Sequence, residues 1–276
     1  MKVEDFDWIA NLVRQRSGVV LTRDKAYLVE SRLVPVARRN NMPSIDELSQ
    51  RLRDRREESL IHQVLDAMMT NESFFFRDQK PFDIFRQILL PKFMEARAAK
   101  KQIRIWSAAA SSGQEAYSLA ILLSEERARL ADWKIEIVGT DISSEILERA
   151  RSGTYTQFEV QRGLPITMLV KYFTKSGDKW QVAPKIREMV SFQELNLLGE
   201  FGPIGTFDVV FCRNVLIYFD QPTKSRVLDS IVKVMQPDGA LFLGGAETVL
   251  GITNRFKPLS DENRNVYMPA TTTRPV

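Results

Sequence analysis

The chain has 276 residues, 44% of them hydrophobic and 27% charged, enough for about two domains with real cores. A single cysteine, Cys212, and a single histidine, His62, exclude a disulfide framework, a multi-cysteine metal site and a His-pair metal site, and leave little room for a Ser-His-Asp device. A net charge of +4 is too weak to imply nucleic acid, no apolar run approaches the ~20 residues of a membrane span, and the acids among the first ten residues argue against a signal peptide; a reduced, cytoplasmic protein is expected.

From the N-terminus, Phe6, Ile9, Ala10 and Val13 form the stripe of an amphipathic helix, with Gly18 as its stop. A second helix is expected over Asp24–Arg39, capped by Thr22 or Asp24 and kinked or ended early by Pro35. Ser44 followed by Glu47 is a capping box that opens a third helix. Leu60, Ile61, Val64, Leu65 and Met68 give the apolar face of a fourth, in which His62 is expected to be packed. No strand pattern interrupts this run. Residues 1–70 therefore read as a helical bundle domain, and residues 71–100 as a linker and lead-in helix.

The rhythm changes after Lys101. Ile103–Ala109, Ile135–Ile142, Met189–Leu195, Phe207–Cys212 and Ala240–Gly244 are short apolar runs, separated by helical stretches at Ala116–Leu130, Ser144–Ser152 and Thr223–Met235. Strands buried on both faces and alternating with helices predict an α/β, doubly wound parallel sheet over residues 101–276. Residues 155–185 break the rhythm with short alternating pieces, and read as a small, partly β insertion at the sheet edge. Pro237-Asp238-Gly239 is expected to be a turn, Phe256–Leu259 and Asn265–Met268 a hairpin, and Thr271–Val276 a frayed tail.

Ligands of open parallel sheets bind beyond the carboxyl ends of the strands. After the first strand, Ala110 to Glu115 form a small-residue turn that lets a ligand approach the backbone; tight strand–helix packing explains the same residues equally well. Asp141 ends the second strand, either as a grip for ribose hydroxyls or as a helix cap. Asn196 and Asn214 follow two further strands, as ligand contacts or as caps. With no Walker lysine, and with Glu115 set to repel phosphates, the pattern suits a nucleoside-type ligand with a cationic part, such as S-adenosylmethionine.

The run from Thr70 to Arg77 (TNESFFFR), followed by WSAAASSGQEAYSLAI, GTDIS, NLL and FDVVFCRNVLIYF, resembles the CheR family of chemotaxis receptor methyltransferases along nearly the whole chain. The resemblance implies an all-α N-terminal domain, then a Rossmann-like S-adenosylmethionine-dependent methyltransferase domain with a small β-subdomain insertion. It implies methyl transfer to chemoreceptor glutamates, forming γ-methyl esters. Cofactor contacts carried over from the family fall at Asn71, Ser73, Arg77, Glu115, Asp141, Asn196, Leu197, Asn214 and Val215, and Tyr218 matches the tyrosine beside the transferred methyl. Arg77 is the second candidate catalytic residue. Ser73 replaces a common threonine and Ala116 a common proline; Arg97 lies where a basic helper has been placed, but no motif anchors it.

The chemistry agrees with the composition. A glutamate, with a pKa of about 4.3, is ionised at neutral pH, so attack on an activated methyl needs no general base. Positioning remains, with Tyr218 and Arg77 as the groups to supply it. Phe74–Phe76 serve either to close the site against water or to pack helices. Arg51, Arg53, Arg55 and Arg56 form a basic face for the acidic methylation helices of chemoreceptors. The short stretch Thr174–Trp180 lacks the long glycine-rich loop of members that dock on a receptor's C-terminal pentapeptide, so untethered action by a monomer is expected. Base methyltransferases usually carry an Asn/Asp-Pro-Pro-Tyr segment where this chain has Arg213-Asn214-Val215-Leu216, which argues against a nucleic-acid substrate. A module that binds the cofactor without turnover is the rival from another class.

Overall fold

In a computed structural model, residues 1–270 are described; the tail expected at 271–276 lies outside the described residues. Helix α1 (Val3–Ser17) buries Phe6, Ile9 and Val13 and ends where Gly18, at φ 80°, donates its N–H to Arg14. Helix α2 (Ala26–Arg39) starts later than expected, behind a 3-10 turn at Arg23–Lys25, so neither Thr22 nor Asp24 caps it. It also runs past Pro35 to Arg39. Leu33, Val36 and Ala37 bury its inner face, and the carbonyl of Ser31 freed by the proline lies on the exposed side, within reach of water.

Helix α3 (Ile45–Arg55) begins as expected, with Ser44 Oγ accepting the Glu47 N–H at 3.2 Å. Helix α4 (Glu58–Met68) buries all five predicted apolar residues, and these form one cluster with the inner faces of α1, α2 and α3. His62 is not packed: it projects from the opposite, exposed side of that stripe.

Residues 70–79 cross to the second half of the chain, with Phe76, Asp78 and Gln79 at positive φ. The lead-in helix is α5 (Lys80–Ile84), a π-turn (Phe85–Leu89) and α6 (Leu90–Ala96). Phe75 and Phe76 are buried and pack edge-on against Tyr155 and Phe82, so two of the three phenylalanines belong to the core and only Phe74 faces a cavity.

The second half alternates strand and helix: β1 (Gln102–Ala108), α7 (Gln114–Glu125), β2 (Lys134–Asp141) and α8 (Ser144–Ser152). The insertion follows as β3 (Thr154–Thr156), α9 (Gln157–Gln161), α10 (Ile166–Tyr172), β4 (Phe173–Ser176) and β5 (Lys179–Val182). The chain returns through α11 (Pro184–Arg187), β6 (Val190–Glu194), β7 (Phe207–Cys212), α12 (Gln221–Lys233) and β8 (Met235–Leu243), then β9 (Phe256–Pro258) and β10 (Val266–Pro269).

The main sheet has the order β6-β2-β1-β7-β8-β10-β9, and the insertion is a separate three-stranded sheet, β3-β5-β4. The pairs from β6 to β8 are parallel; β10 pairs antiparallel with β8 and β9, closing the expected hairpin. Pro237-Asp238-Gly239 is not a turn but lies inside β8, where the pairing with β7 slips register between Phe207 and Val209. Gly239 is required there, because a Cβ would stand 2.8 Å from the Asp208 carbonyl oxygen. Arg97 ties this end of the sheet by donating to Asp208 at 2.8 Å and to Asp238 at 2.5 and 2.7 Å, a structural role far from the strand carboxyl ends.

Candidate functional site

The carboxyl ends of β1, β2, β6 and β7 converge on one cavity of about 980 Å³ of empty space, mouth included. Asn71, Ser73, Arg77, Glu115, Asp141, Asn196, Leu197, Asn214, Val215 and Tyr218 all line it. The turn after β1 lines one side of the cavity through Ala109, Ala110 and Ser111. Ala109 and Ser111 adopt φ 54° and 51°, and Gly113 at φ 91° is hemmed by Phe192, Ala150 and Tyr117. The turn packs tightly on its inner side and borders the cavity on the other.

Asp141 is buried at the floor. Its carboxylate accepts the N–H of Ser111 at 2.8 Å and of Ser143 at 3.1 Å. Burial pushes its pKa up, against the pull of those backbone donors. It does not cap α8: that is done by Ser143, whose Oγ accepts from Ile146. Glu115 accepts from Ser107 Oγ at 2.8 Å and from Arg213 at 2.9 Å.

Arg213 has only 2% of its side chain exposed, and it also reaches Asp78 at 2.7 Å and the Arg77 carbonyl at 2.9 Å. One buried cation thus holds the ends of β1 and β7 and the linker together. Asn196 stabilises its own turn by accepting from Leu198 N–H at 2.9 Å, and donates to the Arg16 carbonyl at 2.6 Å. It therefore joins the cavity to α1.

The loop after β7 carries five of the lining residues, Arg213, Asn214, Val215, Tyr218 and Phe219. Asn214 stands at φ 59°, and the loop is fixed by Glu247, which accepts N–H groups from Asn214 (2.8 Å), Val215 (2.9 Å), Ile217 (3.2 Å) and Gly244 (2.7 Å). Tyr218 is half-buried, and its carbonyl accepts from Val20 N–H at 2.9 Å, so the helical half clamps the backbone beside it. Ser17, Val19, Met68 and Met69 from that half also line the cavity. Sequence reasoning missed Arg213 and Glu247, although both follow a strand end and the strand-end rule covers them. It missed the residues at and just beyond the ends of α1 and α4 because no local pattern marks them as facing a distant sheet.

The four arginines of the basic face lie outside the cavity. Arg51 pairs with Glu57 at 2.8 Å; Arg53 pairs with Asp5 at 2.8 Å and stacks on Trp8. Arg55 and Arg56 are exposed and form no ion pair among the described residues. Cys212 is buried and its thiol is pushed up by desolvation, so it is no nucleophile.

The family model described as "CheR methyltransferase, all-alpha domain" matches residues 4–69, and "CheR methyltransferase, SAM binding domain" matches residues 71–264. The chain belongs to the CheR methyltransferase family. Among its relatives, chemotaxis protein methyltransferase 1 of Pseudomonas aeruginosa is 40% identical over 92% of this chain and 93% of its own length. Chemotaxis protein methyltransferase Cher2 of Pseudomonas putida is 38% identical over the same shares, and the chemotaxis protein methyltransferase of Vibrio parahaemolyticus is 37% identical over 92% of each. A solved glycopeptide N-methyltransferase, MtfA, in complex with S-adenosylmethionine aligns with 55% of this chain and 51% of its own at 14% identity and a TM-score of 0.32.

The chain is accordingly a methyltransferase with S-adenosylmethionine as its cofactor, and the cavity suits that molecule. It offers a buried carboxylate at the second strand end, a second carboxylate at Glu115, the turn after β1, and apolar walls at Val19, Met68, Ile142 and Leu197. Among the described residues, no helix is long and apolar enough to cross a membrane.

Proposed function

We propose that this enzyme methylates glutamate side chains of chemoreceptors to γ-glutamyl methyl esters, in the cytoplasm, as a monomer and without a pentapeptide tether. The observation that carries the reading is the meeting of Asn71, Ser73, Arg77, Glu115, Asp141, Asn196, Leu197, Asn214, Val215 and Tyr218 around one cavity. The relatives' designation as chemotaxis protein methyltransferases supports a chemoreceptor substrate.

The cofactor supplies an electrophilic methyl group on a sulfonium. Asp141 keeps lone pairs free for ribose hydroxyls, since two backbone donors occupy only part of its capacity. Glu115, held in place by Arg213 and Ser107, faces the ammonium end, and Asn71, Ser73, Asn214 and Val215 complete that side. Asn196 and Leu197 take the adenine end.

Arg77 draws the substrate carboxylate to the cavity. Tyr218 donates to one carboxylate oxygen and leaves the other aimed at the methyl. No residue has to remove a proton, because the nucleophile arrives ionised. His62, exposed on α4, is not needed.

In this reading residues 1–70 recognise the receptor, 71–100 link, and 101–276 catalyse, with 155–185 as an inserted β-subdomain. Arg55 and Arg56 meet the acidic methylation helices, while Arg51 and Arg53 shape the face through their ion pairs. Strands β4 and β5 join through the tight Gly177-Asp178 turn, which supports untethered action.

Receptor-bearing membranes incubated with the enzyme and methyl-labelled S-adenosylmethionine should acquire label that base releases as methanol. Label that survives base would mean transfer to nitrogen. Label absent from every receptor despite cofactor binding would favour a non-catalytic module. Calorimetry with a receptor-tail pentapeptide should detect no binding, and micromolar affinity would overturn the untethered reading.

A further inference from the structure

Arg162, just after α9, stands at the boundary between the insertion and the linker. Its guanidinium lies 2.6 Å from the Glu72 carboxylate and 4.3 Å from the centre of the Phe74 ring. Arg77 holds the same two residues: it donates to the Glu72 carbonyl at 3.0 Å and stands 5.3 Å from the centre of the Phe74 ring. The next residue strengthens the contact. A Cβ on Gly163, at φ 85°, would come within 2.0 Å of the Phe75 carbonyl oxygen, so the insertion's backbone is pressed onto the linker. Glu72, Phe74 and Phe75 are therefore all held from the insertion.

The linker needs such support. Phe76, Asp78 and Gln79 take positive φ, a conformation unfavourable for residues with a Cβ, and Arg77 sits among them. Arg213 fixes the carbonyl of Arg77 from below, and among the described residues the Arg77 guanidinium has its hydrogen bond to Glu72 and its ring contact to Phe74. Whatever orients those two residues orients Arg77.

We infer that Arg162 is a positioning residue for Arg77, and that the insertion serves the reaction by clamping the linker through it. This rests on the proposed role of Arg77 in the cavity. An exposed ion pair adds little to fold stability, so the side chain can be removed without unfolding the enzyme.

The test compares Arg162→Ala and Arg162→Lys, each alone and combined with Arg77→Ala. The readouts are thermal midpoint, calorimetric affinity for S-adenosylhomocysteine, and kcat and KM for receptor methylation. Arg162→Ala should leave the midpoint within about 2 °C of wild type, as expected for a surface change. It should lower kcat three- to tenfold and weaken S-adenosylhomocysteine several-fold. Arg162→Lys, which keeps the ion pair but loses the planar stacking, should fall in between. In the Arg77→Ala background, Arg162→Ala should cost nothing more.

Wild-type kcat and affinity in Arg162→Ala, or losses that add fully to those of Arg77→Ala, would overturn the inference. If the wild-type enzyme labels no receptor, the functional reading fails separately, and the affinity series still decides the role of Arg162.

Discussion

Arg213 and Glu115 meet at 2.9 Å beneath the cavity, an ion pair with 2% and 14% of the two side chains exposed. It joins the end of β7 to the start of α7, and Asp78 and the Arg77 carbonyl share the same guanidinium. Arg213→Met leaves Glu115 buried with its charge unmatched, at a cost of about 3–5 kcal/mol. Urea unfolding should show a loss of that order, and a variant as stable as wild type would contradict the bridging role.

Glu247 holds the Asn214–Tyr218 loop through three of its backbone N–H groups and ties it to Gly244 through a fourth. Glu247→Gln sets an amide NH2 against donors that need an acceptor, at a cost of about 1–3 kcal/mol. Affinity for S-adenosylhomocysteine, measured by calorimetry below the unfolding range, should fall at least several-fold. Unchanged affinity would separate the loop from the cofactor.

Some of this architecture is legible in the sequence and some is not, for identifiable reasons. Alternation of apolar runs and helices marks β1, β2, β6 and β7, and the residues after them build the cavity as expected. Pro237-Asp238-Gly239 misleads because turn residues also suit a strand that slips register, where Gly239 is needed for close approach. Asp141 leaves two readings open until Ser143 is seen to be the cap of α8. Arg51 and Arg53 look like free positive charge in a linear sequence, and their partners Glu57 and Asp5 appear only on folding. Glu247 lies 33 residues beyond Asn214, and spacing does not encode that contact.

Asp220 links the two halves at their seam. Its carboxylate caps α12 by accepting from Thr223 N–H at 2.9 Å and pairs with Arg14 at 2.5 Å. The Thr223 contacts, then Arg14, hold its pKa down at about 2. A depressed carboxylate pKa stabilises the fold above its unfolded value near 3.8 and loses that contribution as pH falls towards 2. Stability should therefore decline over that window, and less steeply in Asp220→Asn, which keeps a capping oxygen. Asp220→Ala should cost about 1 kcal/mol at neutral pH through loss of the cap. Identical acid limbs for wild type and Asp220→Asn would contradict the assignment.

Arg55 and Arg56 are the arginines of the basic face without an ion pair among the described residues. Reversing both to Glu should raise KM for receptor several-fold at low salt, with kcat and cofactor affinity unchanged. The difference should shrink as ionic strength rises and the Debye length falls below ~8 Å. Equal KM values at low salt would remove these residues from recognition.

The claim that this cavity is the methyl-transfer site, with Tyr218 aiming the substrate carboxylate, is tested most directly by single-turnover transfer from labelled S-adenosylmethionine to receptor by Tyr218→Phe. S-adenosylhomocysteine affinity is measured alongside. The account predicts a rate at least tenfold lower, equivalent to about 1.4 kcal/mol of transition-state stabilisation, with affinity within twofold of wild type. An unchanged rate would contradict it.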